Sequence, residues 1–330
     1  MRRLVPPAGA LLLLTSCGSE ESTLDPVSKP AGDIENLWWI MMTGGWIIFG
    51  GTVAFLVIGW LRRGERGWPL VGERESFNVG LVVGFGLVVP LVVLSVLFVF
   101  ANIHVLEATS APRKGSTELT VRVTGHQWFW EVRYPGTAAV TANEIHIPVR
   151  TRVAVQVTTG DVIHSFWVPR LNRKIDMVPG RRNVVLLYAD EPGVYRGQCS
   201  EFCGLQHAHM GLLVVAEPRA RFETWVENAA GTRRPPTSAM ERRGEQLFLS
   251  EACAGCHTIR GTAARGDIGP DLTHVGSRST IAAVTRPNRP DELAEWLRDP
   301  QRVKPGAKMP ALGLRADEIE ALVSYLESLD

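Results

Sequence analysis

One short segment of this chain concentrates side chains that bind soft metal ions. It reads Cys-Ser-Glu-Phe-Cys-Gly-Leu-Gln-His-Ala-His-Met and contains Cys199, Cys203, His207 and Met210. Thiolate, imidazole and thioether ligands favour copper, zinc or iron–sulfur clusters over hard cations. Upstream, the run Asp-Val-Ile-His-Ser-Phe-Trp supplies His164 at the end of a strand-like stretch. Two thiolates can bridge two copper ions with one histidine on each, and Met210 can then bind one of the ions.

Other uses of this loop remain open from the residues alone. Cys199 and Cys203 could form a disulfide in an oxidising compartment. Two cysteines and two histidines could also form a structural zinc site. His209 could replace His207 as a ligand, although the four-residue spacing from Cys203 favours His207.

A second redox motif, Cys253-Ala-Gly-Cys256-His257, follows in the chain. Cys-x-x-Cys-His is the attachment signature of c-type haem, in which the thiols bind the vinyl groups and the histidine binds the iron. A low-spin haem needs a sixth ligand, and Met309 in Gly-Ala-Lys-Met-Pro is the predicted one, with His274 as its competitor. A redox dithiol is the alternative, but no thioredoxin-like pattern surrounds the motif.

The fifth cysteine belongs to an export signal. Residues 1–16 combine a small basic region with an apolar run that ends in Leu-Thr-Ser before Cys17. This pattern predicts a lipoprotein signal peptide with Cys17 as the lipidated N-terminus, and an ordinary signal peptide is the alternative. The polar residues 17–33 are predicted to form a tether.

Two stretches, residues 37–61 and 77–101, contain no ionisable side chain. Each is long enough to cross a bilayer, for which about 20 residues suffice. Buried helices of a soluble protein are the less favoured interpretation. The connection between them is rich in arginine and is therefore predicted to be cytoplasmic, with both chain ends outside. Its arginines are Arg62, Arg63, Arg66 and Arg74.

The exported part of the chain changes character along its length. Residues 117–216 alternate apolar and polar side chains in short runs separated by Gly and Pro, which predicts a β-sandwich or barrel. Residues 231–238 are a Pro-rich linker. The segment from 239 onwards has amphipathic helical runs at both ends. With 330 residues and a net charge of +1, the chain allows two or three domains and gives no sign of nucleic-acid binding.

Four motifs together resemble subunit II of cytochrome c oxidase. They are Gly-His-Gln-Trp-Phe-Trp at 125–130, the His164 run, Pro-Gly-Arg at 179–181 and the loop 198–210. Residues 239–330 resemble a class I cytochrome c.

The resemblance implies a multidomain fold. Its parts are a transmembrane helical hairpin over 34–106, an all-β cupredoxin sandwich over 113–230 and an all-α class I cytochrome c domain over 239–330.

The resemblance also implies specific roles for individual residues. Trp128 matches the residue at which electrons reach the copper domain, and the Glu201 side chain is expected to face a magnesium or manganese ion shared with subunit I. Asp176 and Arg181 match a segment that faces subunit I. Residues 253, 256, 257 and 309 would hold covalent haem c. The implied ligands of the dinuclear copper centre CuA are His164, Cys199, the Glu201 carbonyl, Cys203, His207 and Met210.

The function implied is an electron relay in a proton-pumping terminal oxidase. Haem c passes electrons to CuA and on to the haem–copper subunit I, which reduces oxygen to water. Oxygen reduction is assigned to subunit I because neither spanning stretch of this chain carries a residue able to perform it. No catalytic residue is therefore expected on this chain. Subunits I and III are the implied partners, and a quinol:cytochrome c reductase or a cytochrome c is the implied donor.

The implied location is the bacterial cytoplasmic membrane, with both redox domains on the periplasmic face. A CuA-type nitric-oxide reductase subunit and a non-catalytic membrane lipoprotein electron carrier are the alternatives. The stretch from Glu131 to Asn143 is shorter and less acidic than in many relatives, which weakens the case for docking a basic cytochrome c there. The sandwich is net basic and the last domain net acidic, which could help the two domains meet.

Overall fold

The computed structural model of the chain describes residues 20–62 and 75–330. The predicted signal peptide, Cys17 and most of the arginine-rich connection lie outside the described residues. The chain divides into two compact units, one formed by Lys29–Ser110 and the other by Met1–Ser28 together with Ala111–Asp330.

The first unit consists of two long apolar helical segments. Helix α1 covers Lys29–Leu61, and a second run covers Glu75–Thr109. Both are long and apolar enough to cross a membrane, and the most apolar part of each leaves its side chains exposed, as lipid-facing residues would be. The second run consists of α2 Glu75–Val83, a π-helical turn Gly84–Val88, α3 Val89–Phe100, a π-helical turn Ala101–Leu106 and α4 Glu107–Thr109.

The second unit contains a β-sandwich, as the alternating pattern predicted. Its two five-stranded sheets have the orders β3-β2-β1-β5-β8 and β4-β10-β9-β6-β7. Residues that alternate inward, such as Val121, Val123 and Trp130, are fully buried between the sheets. The strands are β1 Leu119–His126, β2 Phe129–Arg133, β3 Val140–Ala142, β4 Glu144–Pro148, β5 Val153–Thr159, β6 His164–Trp167, β7 Ile175–Met177, β8 Asn183–Leu187, β9 Gly193–Cys199 and β10 Gly211–Glu217.

The segment before α1 packs on this sandwich, although its polar composition predicted a tether. The Val27 amide donates to the Arg170 carbonyl at 3.0 Å, and the Val27 carbonyl accepts from the Asp190 amide at 3.0 Å. Glu21 also forms an ion pair with Arg196 at 2.7 Å. Main-chain hydrogen bonds hold this polar segment, and Val27 also packs against the core of the sandwich, which composition alone could not show.

A helical domain follows the sandwich. Helix α5, Arg219–Ala230, leads into the linker, and the Arg233 amide then donates to the Arg260 carbonyl at 3.2 Å. The first and last helices of the domain cross at Gly244, where an added Cβ would lie 2.1 Å from the Ala321 carbonyl oxygen. The elements are α6 Ala239–Ser250, α7 Cys253–Cys256, β11 Thr280–Ile281, β12 Arg286–Pro287, α8 Pro290–Arg298, α9 Pro300–Val303 and α10 Ala316–Glu327.

Candidate metal and haem centres

The sulfur-rich loop connects β9 to β10 at one end of the sandwich. Cys199 ends β9, and its amide donates to the Met210 carbonyl at 3.0 Å, which closes the loop. His164 opens β6, and Phe166 of β6 pairs with Cys199 of β9. The register between these two strands therefore brings the distant histidine to the loop.

Six predicted ligand atoms, five from this loop and one from His164 of β6, lie close together. The two thiol sulfurs, Cys199 Sγ and Cys203 Sγ, are 3.8 Å apart. Each sulfur faces a different histidine, with His164 Nδ1 at 3.8 Å from Cys199 and His207 Nδ1 at 3.6 Å from Cys203. The Met210 Sδ lies 3.8 Å from Cys203 Sγ, and the Glu201 carbonyl oxygen lies 3.2 Å from Cys199 Sγ.

This geometry fits two copper ions better than the alternatives. Both cysteines are free, and their separation far exceeds the disulfide bond length of about 2.05 Å. Ligand atoms of His164, Cys199 and Cys203 all lie within 4.8 Å of one another, whereas His207 is outside that group. Ligands of one tetrahedral zinc lie within about 4 Å of one another. Two sulfurs that each face their own histidine are the arrangement expected for a bridged pair of metals.

The two thiols differ in how readily they lose their protons. The hydrogen bond from the Cys203 thiol lowers the pKa of Cys199 to about 3, although burial acts in the opposite direction. The same contact, together with burial, raises the pKa of Cys203. Copper binding needs both sulfurs as thiolates, so the protons that remain on the pair would be released when the metal binds.

Asp161, to which the sequence patterns assign no role, contacts a predicted copper ligand. The His164 Nε2–H donates to Asp161 Oδ1 at 2.9 Å, which leaves Nδ1 to face the metal. Carboxylates commonly orient metal-binding histidines in this way. An acidic residue three positions before a candidate ligand histidine is the sequence signal that could have identified it.

The second candidate centre is a cavity, partly open to solvent, whose lining is mostly apolar. The predicted haem residues Cys253, Cys256, His257 and Met309 all line it. The competitor His274 does not line it, and its ring nitrogens instead lie 3.2 Å from the Asp330 and Gly231 carbonyls.

The cavity walls hold the predicted axial histidine and a buried cation. His257 Nδ1–H donates to the Pro270 carbonyl at 2.8 Å, which leaves Nε2 for the iron, and burial lowers the pKa of His257. Arg278 is buried against the cavity, and its Nε has no hydrogen-bond partner among the described residues. A haem carries two carboxylates, so an unsatisfied guanidinium N–H at this position fits that group.

Trp128 lies between the two centres. Its indole Nε1–H donates to the Cys203 carbonyl at 3.0 Å, and Gln127 Nε2 donates to the same oxygen at 2.8 Å. Trp128 and Gln127 also line the candidate haem cavity. The residue predicted to receive electrons therefore touches the copper loop and the wall of the haem cavity at once.

Comparisons with known proteins agree with this architecture. Residues 137–217 match the family profile for the periplasmic domain of cytochrome c oxidase subunit II, and residues 241–330 match the cytochrome c profile. Cytochrome c oxidase subunit 2 of Alkalihalophilus pseudofirmus is 33% identical over 99% of this chain and 96% of its own. Its counterpart in Bacillus subtilis is 30% identical over 96% of this chain and 94% of its own.

Among solved structures, the periplasmic domain of cytochrome oxidase subunit II from Bradyrhizobium japonicum matches 36% of this chain and 96% of that domain. The identity is 35% and the TM-score is 0.34. The two full-length relatives cover nearly the whole chain, through the apolar helices, the sandwich and the last domain. The chain belongs to the cytochrome c oxidase subunit 2 family, in a form that carries a cytochrome c domain at its C-terminal end.

Proposed function

We propose that this chain is the subunit of a cytochrome c oxidase that receives electrons and relays them to the oxygen-reducing subunit. The observation that carries the proposal is the position of Trp128, which contacts the copper loop and lines the haem cavity. When bound, haem c and CuA supply reversible one-electron transfer. The chain's own residues hold the two groups close together, exclude water and orient the ligands.

The geometry of the two centres supports an assignment of individual residues. We propose that residues 253 and 256 hold the haem covalently, with His257 and Met309 as axial ligands. Cys199, Cys203, Met210 and His164, all of them buried, would bind the two copper ions together with half-buried His207 and the Glu201 carbonyl. Their burial keeps water from the metals, which limits rearrangement when the charge changes.

Oxygen reduction is assigned to a partner chain. Residues 37–61 and 77–101 carry no ionisable side chain that could bind a buried haem or conduct protons. The haem–copper subunit I is therefore the proposed acceptor, with subunit III as a further partner. A quinol:cytochrome c reductase or a soluble cytochrome c is the proposed donor.

Three exposed residues are proposed to face subunit I. The Glu201 side chain is exposed while its carbonyl faces Cys199, so the carboxylate is free to help bind a shared magnesium or manganese ion. Asp176 and Arg181 are also exposed and available for contact with a partner chain.

The two apolar helical segments make the chain a membrane protein, and the match to a periplasmic domain places the sandwich on the outer face. We propose the bacterial cytoplasmic membrane as its location, with Cys17 as a lipid anchor. Mass spectrometry of the mature N-terminus would test the lipid attachment directly.

Purification with its partner subunits tests the proposed function. Two copper ions and one haem c per copy of this chain, with oxygen uptake driven by reduced cytochrome c, are the expected results. One copper ion or zinc at the loop would contradict the CuA assignment. Turnover of nitric oxide without oxygen uptake would show that the partner is a nitric-oxide reductase.

A further inference from the structure

Lys304 is buried where the sandwich and the haem domain meet. It follows α9 and is only 3% exposed. Its Nζ donates to the Trp128 carbonyl of the sandwich at 2.9 Å and to the Ala282 carbonyl of the haem domain at 3.1 Å. Among the described residues no carboxylate lies within 4.0 Å of this Nζ. Lysine is almost never fully buried unless it is paired, so this position needs a reason.

The carbonyl on the haem side belongs to a strained loop. Ala282, Ala283 and Val284 have φ values of 52°, 58° and 63°, a left-handed conformation that is unfavourable for side chains other than glycine and most of all for β-branched ones. The loop directs the Ala283 carbonyl to the Gly211 amide at 3.1 Å, next to the copper-loop residue Met210. The strained loop is therefore held by contacts with the copper domain.

We propose that Lys304 is a positioning residue that fastens the haem domain to the copper domain at Trp128. One amino group bonds the main chain of the residue that receives electrons and the main chain of the strained loop. An ammonium has three N–H donors and a neutral amine has two, so both carbonyls can be bonded in either protonation state. Trp128 is thereby held against the haem cavity of the same chain.

Because other contacts also join the two domains, removal of the Lys304 side chain is expected to affect only its immediate surroundings. The Ser279 amide and hydroxyl donate to Glu144 Oε1 at 2.8 and 2.6 Å, and Arg260 donates to the Ala138 carbonyl at 2.9 Å. These contacts would keep the domains together without Lys304. The loss of Lys304 should then loosen Trp128 and the loop at 282–284 without separating the domains.

The test compares Lys304→Met with Lys304→Arg and with the matched control Lys308→Met in the full chain loaded with copper and haem. Lys308 lies at the same interface but is 55% exposed and forms only a 3.7 Å ion pair with Asp161. We expect Lys304→Met to speed amide hydrogen exchange in residues 127–130 and 281–285 by roughly five- to tenfold. Lys308→Met should change it by less than about twofold, and Lys304→Arg should restore part of the protection.

Equal exchange in the two methionine variants would overturn the proposal, and so would unchanged exchange in Lys304→Met. Loss of the Met309–iron bond without faster exchange at 127–130 would show that Lys304 serves the haem pocket instead. This inference rests on the proposed role of Trp128, but hydrogen exchange reports the interface alone. If hydrogen exchange responds as expected but no electron transfer occurs between the centres, the proposed function is refuted. The role of Lys304 at the interface would still stand.

If Lys304→Met does not fold, the wild-type protein provides the test. Competitive labelling with an amine-reactive reagent should modify Lys304 at least about tenfold more slowly than Lys308, because only Lys308 is exposed. Similar labelling of the two lysines would overturn the proposal.

Discussion

At the scale of single residues, the copper loop shows how a residue that contacts a ligand side chain fixes the orientation of that side chain. His164 is fully buried, and the orientation of its ring depends on Asp161 at 2.9 Å. Asp161 is itself fixed by the Gln127 amide, which donates to its Oδ2 at 2.7 Å. The series of hydrogen bonds that orients His164 therefore begins at Gln127, the neighbour of Trp128.

Asp161→Asn should weaken copper binding by about 10- to 100-fold, because the histidine loses the carboxylate that orients it. Copper retention against a competing chelator measures the effect. Asp176→Asn is the control, since Asp176 is exposed and its partner in the sheet is Ser165 rather than a predicted ligand. Equal copper retention in the wild type and in Asp161→Asn would contradict the role given to Asp161.

Met309→Ala should leave the haem attached, because the two cysteines remain, but should remove its sixth ligand and lower its reduction potential. The spin state of the oxidised haem, measured by electron paramagnetic resonance, reports the change. His274→Ala should leave the spin state as it is, because His274 lies outside the cavity. A spin-state change in His274→Ala would reverse the choice of ligand.

At the scale of elements, a close helix crossing stabilises the haem domain and a cluster of side chains stabilises the sandwich. Helices α6 and α10 approach so closely at Gly244 that no larger residue fits. In the sandwich, strands β4 and β10 and helix α5 meet at His146, whose ring stacks on Trp225 at 3.9 Å. His146 lies between Glu217 at 3.0 Å and Glu144 at 3.8 Å.

Gly244→Ala should destabilise the haem domain by about 1–3 kcal/mol, because overpacking against α10 outweighs the gain in helix propensity. Denaturant unfolding followed by the haem absorption measures the loss. Gln246→Ala in the same helix is the control, since Gln246 is exposed and should change stability by less than about 0.5 kcal/mol. A stability of Gly244→Ala equal to that of the wild type would mean that the helices can move apart.

The His146 cluster predicts a pH dependence of stability. Burial acts to lower the pKa of His146, but its hydrogen bonds to Glu144 and Glu217 outweigh burial and raise the pKa above 6.5. The stabilisation is therefore fully present below pH 6.5 and is lost as the pH rises through the raised pKa. Melting temperature against pH should fall across this window in the wild type and be flatter in His146→Gln. Parallel curves would exclude the cluster as the cause.

At the scale of the whole molecule, the sandwich and the haem domain form one compact unit. Opposite net charges predicted an encounter guided by electrostatics. The structure adds directed hydrogen bonds from Lys304, Ser279 and Arg260, whereas the exposed Lys308–Asp161 pair contributes little.

Electron transfer between the two centres should therefore be first-order. Its rate constant should not change with protein concentration and should change little with salt, because directed and mostly partly buried hydrogen bonds, rather than exposed ion pairs, hold the domains together. Flash reduction of the haem, followed at the copper absorption, measures this rate. A rate that rises in proportion to protein concentration would show that transfer occurs between molecules.

The sequence alone determined the chemistry of this protein. Cys199, Cys203 and His207 lie within one loop, and Cys253, Cys256 and His257 within one turn, so their spacing is set by the local chain and is readable without a structure. The spanning helices were equally readable, because composition alone decides whether a segment suits a membrane. Met309 stays the predicted sixth ligand, and it lines the cavity whereas His274 does not.

Only the tertiary structure decided how these parts meet. The pairing of β6 with β9 brings His164 to Cys199, and the packing of two domains buries Lys304 beside Trp128. Packing also fixes the polar segment before α1, which composition predicted to be a tether. Such contacts join residues far apart in the chain, and they depend on strand register and on which surfaces cover one another. No local pattern of residues records that information.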